Sequence, residues 1–238
     1  MITIPDNLCT VVFTLQELIS KIYPDIAHIH DKPMEWLCER AILTPKNDQA
    51  AAINDILLPS LEGEEMVYTS IDFVVNTDDA INHPVEFLNS LKPSGLPHYN
   101  LIPRVGTSVM LLRNLKPPQL CNGTSLNVKA LHRNVVEAPI ITGFEQGETV
   151  FVPRIPFIPN NLPFEFKRIE FPLKVCFTIT INKSQGQTLK IAGVDLRENC
   201  FSHGQFYVTC SRVSSPSSLI ILARSGRLAK NVVYKEVL

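Results

Sequence analysis

Lys183-Ser184-Gln185-Gly186 puts a positive charge, a hydroxyl, a side-chain amide and a glycine backbone at four consecutive positions. That combination suits an oxyanion, because glycine lets backbone N–H groups come close while the side chains add charge and donors. The residues before it, Phe177 to Ile181, are apolar or β-branched throughout. They read as a strand buried on both faces, as in a parallel sheet covered by helices. On residue type and spacing alone, a phosphate-facing turn and an ordinary strand-to-turn connection with Gly186 as its turn residue both remain open. Other chemistry is poorly supported. The six cysteines, at 9, 38, 121, 176, 200 and 210, show no Cys-x-x-Cys spacing, so reduced thiols are expected rather than disulfides, and no metal site. No base with an orienting carboxylate is discernible near Cys210 or His203, which argues against a hydrolase.

The elements that must hold the turn belong to a chain of 238 residues, 45% apolar and 19% charged, enough for one large core or two modest ones. With no apolar run near 18 residues and no basic-then-apolar N-terminus, a soluble, untargeted, intracellular chain is expected, with no membrane partner. Net charge runs from −10 over residues 1–100 through +2 over 101–166 to +7 over 167–238. A basic last third can meet a polyanion; an acidic first part argues against nucleic acid wrapping the whole chain. Solvated basic faces would give the same count.

In chain order, residues 1–38 read as a helical lead-in, with Leu15, Leu18, Ile19 and Ile22 at helical spacing and Pro24 as the stop. Residues 40–58 read as strand, polar turn and helix, an α/β unit. Between 84 and 166 prolines recur and short β-like runs (109–112, 126–131, 135–142, 149–155) alternate with turn residues, which suggests a small antiparallel β unit or barrel inserted into the chain. The tract from Phe151 to Phe171 interleaves aromatics with Arg154, Lys167 and Arg168. Such a tract can stack bases, but anchoring of an extended connection to a core is the preferred reading. From 167 the α/β pattern returns, with strands at 175–181, 194–196 and 218–222 and a helix over 204–212. These and the strand at 41–43 are expected to complete one parallel sheet. The expected organisation is therefore 1–38, 39–83, 84–166 and 167–238.

Thr180-Ile181-Asn182-Lys183-Ser184-Gln185-Gly186-Gln187-Thr188 resembles motif V of the Pif family of superfamily-one DNA helicases, usually Thr-Ile-His-Lys-Ser-Gln-Gly-Gln-Thr, at eight of nine positions. Gly204-Gln205-Phe206-Tyr207-Val208-Thr209-Cys210-Ser211-Arg212-Val213 resembles motif VI of the same family. Further likenesses are Thr44-Pro45-Lys46-Asn47, Ile53-Asn54, Tyr68-x-Ser70-x-Asp72, Leu111-Leu112-Arg113-Asn114 and Asn122-Gly123-Thr124. The departures are Asn182 for histidine, Thr209-Cys210 for Ala-Leu, and Lys46 where the family often has threonine.

The resemblance implies an α/β fold: a RecA-like parallel sheet, the second motor domain, with an inserted small antiparallel β-barrel. It implies the C-terminal half of an ATP-dependent, 5′-to-3′ DNA helicase, nuclear or otherwise intracellular. Arg212 is implied as the catalytic arginine reaching the γ-phosphate. Gln185, Gly186 and Arg212 are implied at the nucleotide, and Thr44, Asn47, Lys183, Ser184, Gln185 and Thr188 at single-stranded DNA. Gln205 is expected to support motif VI, and Tyr207 to lie in the core. Arg113 is expected either to meet a phosphate or, with Asn114, to be buried. No Walker A or Walker B sequence is evident in the chain. ATP and Mg²⁺ are therefore expected only together with a first motor domain, which is the expected partner along with single-stranded DNA, and this chain alone is expected to bind neither and to be inactive. The alternatives are a non-catalytic module that binds single strands or docks on a helicase, and a degenerate transposon-derived remnant.

Overall fold

The computed structural model describes residues 2–74, 83–91, 93, 96, 99–143, 145–159, 162, 164–224 and 227–234. They belong to two compact units, Met1–Glu62 with Cys176–Leu238, and Gly63–Val175.

The first unit is built on a five-stranded, all-parallel sheet in the order Thr178–Thr180, Arg40–Thr44, Ile191–Leu196, Leu219–Ala223, Thr10–Val12. Its central strands are almost wholly buried, as their unbroken apolar runs require. The expected sheet is present, and the lead-in adds a fifth strand to it. The lead-in also supplies the helix Leu15–Ile22, started by a reciprocal capping box between Thr14 and Glu17. Leu18, Ile19 and Ile22 are its buried face. Gly193 makes that docking possible: a Cβ there would stand 2.6 Å from Ile22 Cγ1 and 3.1 Å from Leu18 Cδ1. Residues 1–38 are thus an integral part of the sheet domain.

The sheet's outer strand is closed by a side chain. Asn54, 4% exposed on the helix Asn47–Leu57, donates from Nδ2 to the Thr178 carbonyl (3.0 Å) and accepts at Oδ1 from the Thr178 N–H (2.8 Å). The two amide bonds replace the ladder partner that an edge strand lacks.

In the second unit, the strand Ser108–Leu111 pairs with Ser125–Asn127 and Leu173–Val175, and Val135–Pro139 pairs with Ala130–Leu131 and Thr149–Pro153. An isolated bridge, Leu126 to Ile140, links the two ladders over a shared core that includes Val109, Leu126, Val136, Val152 and Leu173. Among the described residues the ladders remain separate small sheets. A third sheet pairs Phe166–Glu170 with Ile155–Phe157 and Ile71–Val74. Beneath it the fully buried Arg168 forks onto Asp72 (2.8 and 2.7 Å) and reaches the Leu88 carbonyl. Phe157, Phe166 and Phe171 are buried too. In the Phe151–Phe171 tract, Arg168 and these rings are therefore anchors.

The expected boundaries at 84 and 166 differ from those of the compact units. Residues 68–74 and 167–175 find their ladder partners in the second unit, so they cluster there. Residues 75–82, the end of the expected 39–83 segment, lie outside the described residues, as do Pro97 and Pro163 of the proline-rich tract. No described helix is long and apolar enough to cross a membrane.

Candidate functional site

Parallel strands end on one side, so the residues that follow them share one edge of the sheet. Here that edge carries the 3₁₀ turn Ile181–Ser184 after Thr178–Thr180, Lys46-Asn47 after Arg40–Thr44, Arg197-Glu198 after Ile191–Leu196, and Arg224 after Leu219–Ala223. Thr44 and Thr180 are register partners, so the first two of these groups leave neighbouring strands side by side.

Motifs V and VI meet through Arg212. Its Nη1 donates to the carbonyls of Ser184 (3.1 Å) and Gln187 (2.9 Å), and its Nε to that of Val208 (2.8 Å). Nη2 donates to Ser211 Oγ (2.8 Å), and one N–H of that nitrogen has no acceptor among the described residues. The turn returns the contact, since the Leu189 N–H donates to the Arg212 carbonyl (2.8 Å). A second tie joins Asn182, at the position where the resemblance expects histidine, to Gln205: Gln205 Nε2 donates to Asn182 Oδ1 (3.2 Å). Gln205 Oε1 also accepts from the N–H groups of Phe201 and Ser202, so this 3%-exposed side chain holds the start of its helix.

Several expected site residues stand where a ligand can reach them. Lys183, Gln185, Gly186 and Thr188 are exposed on or after the turn, and Asn47 is exposed at the start of its helix. Gly186 has φ +84° with open space around its α-carbon. Glycine is therefore needed there for the left-handed backbone, with no close approach to accommodate. Two of the residues expected at DNA have buried side chains. Thr44 and Ser184 are each 0% exposed, and their hydroxyls donate to the carbonyls of Lys46 (3.0 Å) and Ile181 (2.7 Å). Both shape the loops from inside and present no side chain to a strand. Tyr207 is corrected the other way: its helix buries Gln205, Phe206 and Thr209, which leaves Tyr207 on the outer face at 74% exposure. Arg113 and Asn114 are exposed as well, with the Arg113 guanidinium 5.2 Å from the Phe157 ring centre.

One cluster escaped the sequence reading. Lys46, Asp48, Gln49, Arg197 and Glu198 line a cavity of about 380 Å³ at the strand-end edge. The buried Asp195 carboxylate takes a fork from Arg197 (3.0 Å from Nε, 2.6 Å from Nη2), and this bond holds the guanidinium even more firmly protonated than usual. An acidic residue ending a buried strand was the available signal, and the cation two residues later completes it.

Comparison with known proteins bears on the fold and the family. A family model described as the 2B domain of DNA helicase Pif1 matches residues 86–131, within the second unit. The ATP-dependent DNA helicase Pif1 of Bdellovibrio bacteriovorus is 26% identical over 189 residues, covering 78% of this chain and 39% of that protein. The ATP-dependent DNA helicase PIF6 of Trypanosoma brucei brucei is 32% identical over 127 residues, covering 50% of this chain and 16% of that one. The crystal structure of Bacteroides Pif1 bound to single-stranded DNA superposes with a TM-score of 0.62 at 21% identity, over 94% of this chain and 53% of that one. Pif1 from Candida albicans gives 0.61 at 22% identity, over 93% and 56%. The chain thus spans 16–39% of these curated relatives and about half of the solved chains. Over most of its length the chain is thus similar in sequence to a portion of Pif1 helicases, and it shares their RecA-like α/β fold.

Proposed function

We propose that this chain is the second, arginine-bearing motor half of a Pif1-type ATP-dependent DNA helicase. It binds single-stranded DNA along the strand-end edge of the parallel sheet, and it takes part in ATP hydrolysis only with a Walker-bearing first motor domain. One observation carries the reading: the Arg212 guanidinium is bonded to the carbonyls of Ser184 and Gln187, so the arginine of one motif and the phosphate-suited turn of the other form one unit.

The residues present fit a nucleotide phosphate at one point. The remaining Nη2 hydrogen of half-buried Arg212 has no acceptor among the described residues, and a charge-assisted bond from a guanidinium suits a phosphate oxygen. ATP, when bound, supplies the free energy of hydrolysis, and Mg²⁺ is assigned with it to the other motor domain. A pull on Arg212 moves the carbonyls of Ser184 and Gln187, and with them the exposed Lys183, Gln185 and Thr188. These residues and Asn47 lie along the proposed path of the strand, where Lys183 provides charge for its phosphates.

A specific observation also supports the non-catalytic reading: four of the five N–H groups of Arg212 are already spent within the chain, three of them on carbonyls, as in a structural clamp. The test is to measure single-strand binding and ATP turnover on the purified chain. Salt-sensitive binding without turnover supports the proposal. DNA-stimulated turnover that Arg212→Ala abolishes would overturn the assignment of the Walker motifs to another domain.

A further inference from the structure

We propose that the cavity lined by Lys46, Gln49 and Arg197 is a subsite for one nucleotide of a bound single strand. Glu198 is its electrostatic gate, competing with the strand's phosphate for Lys46. The inference rests on the single-strand reading above and adds to it a site and a control.

Three features of the cavity converge on a ligand that has both a phosphate and hydrogen-bond donors. First, the Lys46 ammonium lies 3.0 Å from a Glu198 carboxylate oxygen, with both side chains about half exposed (52% and 54%). Solvent screens such a pair, so it opens at little cost and leaves Lys46 available to another anion. Second, Arg197 spends Nε and Nη2 on Asp195, and among the described residues nothing accepts from its Nη1. Its side chain is 45% exposed. Third, Gln49 is fixed by a bond from Nε2 to the Asp195 carbonyl (3.2 Å), while its Oε1 is shut off from solvent with no partner. A buried acceptor without a donor is uncommon in a folded protein; a small turn of the Gln49 amide toward the cavity would let it meet an N–H or O–H group of a base or sugar.

The volume of about 380 Å³ is within the range of small-ligand sites. Phosphate on Lys46 and Arg197 and a donor on Gln49 would use the unspent Arg197 Nη1 and Gln49 Oε1 together with the Lys46 ammonium released from Glu198. The carboxylates of Glu198 and Asp48 oppose an anion, so a strand enters only by taking Lys46 away from Glu198.

The experiment is a fluorescence-anisotropy titration of a labelled thymidine oligonucleotide into the wild-type chain and the Glu198→Gln, Lys46→Ala and double variants, at two salt concentrations. Removing the gate should tighten binding about two- to fivefold, as expected for one exposed charge pair. Lys46→Ala should weaken binding and make the salt dependence shallower by about 0.7 in the log–log slope. In the Lys46→Ala background, where only the direct repulsion between Glu198 and the phosphate is left to remove, Glu198→Gln should tighten binding clearly less. An equal gain from Glu198→Gln with and without Lys46 would overturn the gate. Binding that ignores both residues yet falls in Lys183→Ala would overturn the subsite and leave the single-strand reading standing. No strand binding by any variant would overturn both.

Discussion

Replacing Arg212 by lysine keeps the charge and deletes the fork, which separates the clamp from simple electrostatics. Lysine has no planar set of donors to reach the carbonyls of Val208, Ser184 and Gln187 together, so three bonds of 2.8–3.1 Å are lost. Each is worth roughly 0.5–1.5 kcal/mol net. Because Arg212 is only half-buried, water replaces part of each bond and the sum lies at the low end, about 2 kcal/mol. The loss is local to the turn, so native-state amide exchange is the assay. The reporters are the N–H of Gln187, bonded to the Ser184 carbonyl (3.0 Å), and that of Leu189, bonded to the Arg212 carbonyl (2.8 Å). Their exchange should quicken about thirtyfold in Arg212→Lys, following the 1.4 kcal/mol per decade conversion. Arg212→Ala should match it, since geometry is the proposed cause. Protection within twofold of wild type in Arg212→Lys, or a large loss in alanine alone, would refute the clamp.

Three further outcomes follow from the packing. Asn54→Ala leaves the buried N–H and carbonyl of Thr178 without partners and should cost about 2–5 kcal/mol in denaturant unfolding; a cost below 1 kcal/mol would show that the amide cap is dispensable. Gly193→Ala drives a methyl against Ile22 and should cost about 1–3 kcal/mol, and in Ile22→Ala, where the clashing atom is gone, the same change should cost clearly less; an equal cost in both would point elsewhere. Burial pushes the Glu170 carboxyl up to about 8, against the opposing pulls of its bond from Ser70 (3.0 Å) and of Arg168, and its Oε1 has no partner. The folded state therefore holds this proton more tightly than the unfolded chain. The resulting stability, on the order of a few kcal/mol, is complete below about pH 4.5 and is lost as pH rises toward 8. Glu170→Gln should flatten unfolding curves between those limits, and an unchanged slope would contradict the buried neutral carboxyl.

Much of the fold was legible in the sequence because it is written in local patterns. The apolar or β-branched runs at 41–43, 177–181 and 219–222 suit a covered parallel sheet, and the turn residues of the second unit punctuate its short strands closely. The lead-in's strand was not legible: Thr10-Val11-Val12 is too short to signal a strand alone, and its place is fixed by pairing with Ile220–Leu222 far along the chain. At the site, type and spacing left the Lys183–Gly186 turn as one of two open readings, and Arg212 came from the resemblance alone. Burial could not. Thr44 and Ser184 are polar residues that turn inward to satisfy backbone carbonyls, while Tyr207 is an aromatic residue that its short helix turns outward. The Lys46–Gln49–Arg197 cavity joins residues some 150 positions apart, and no one-dimensional pattern marks it.

The most direct test of the account is the salt dependence of single-strand binding by the wild-type chain and by Lys183→Ala. With nucleic acid along the strand-end edge of the sheet, the wild type binds a labelled single strand at low salt, binding weakens steadily as salt rises, and Lys183→Ala lowers the log–log slope by about 0.7, one phosphate's worth. A wild-type chain that leaves the strand free even at low salt, or a slope that Lys183→Ala does not change, would contradict the placing of nucleic acid along this edge of the sheet.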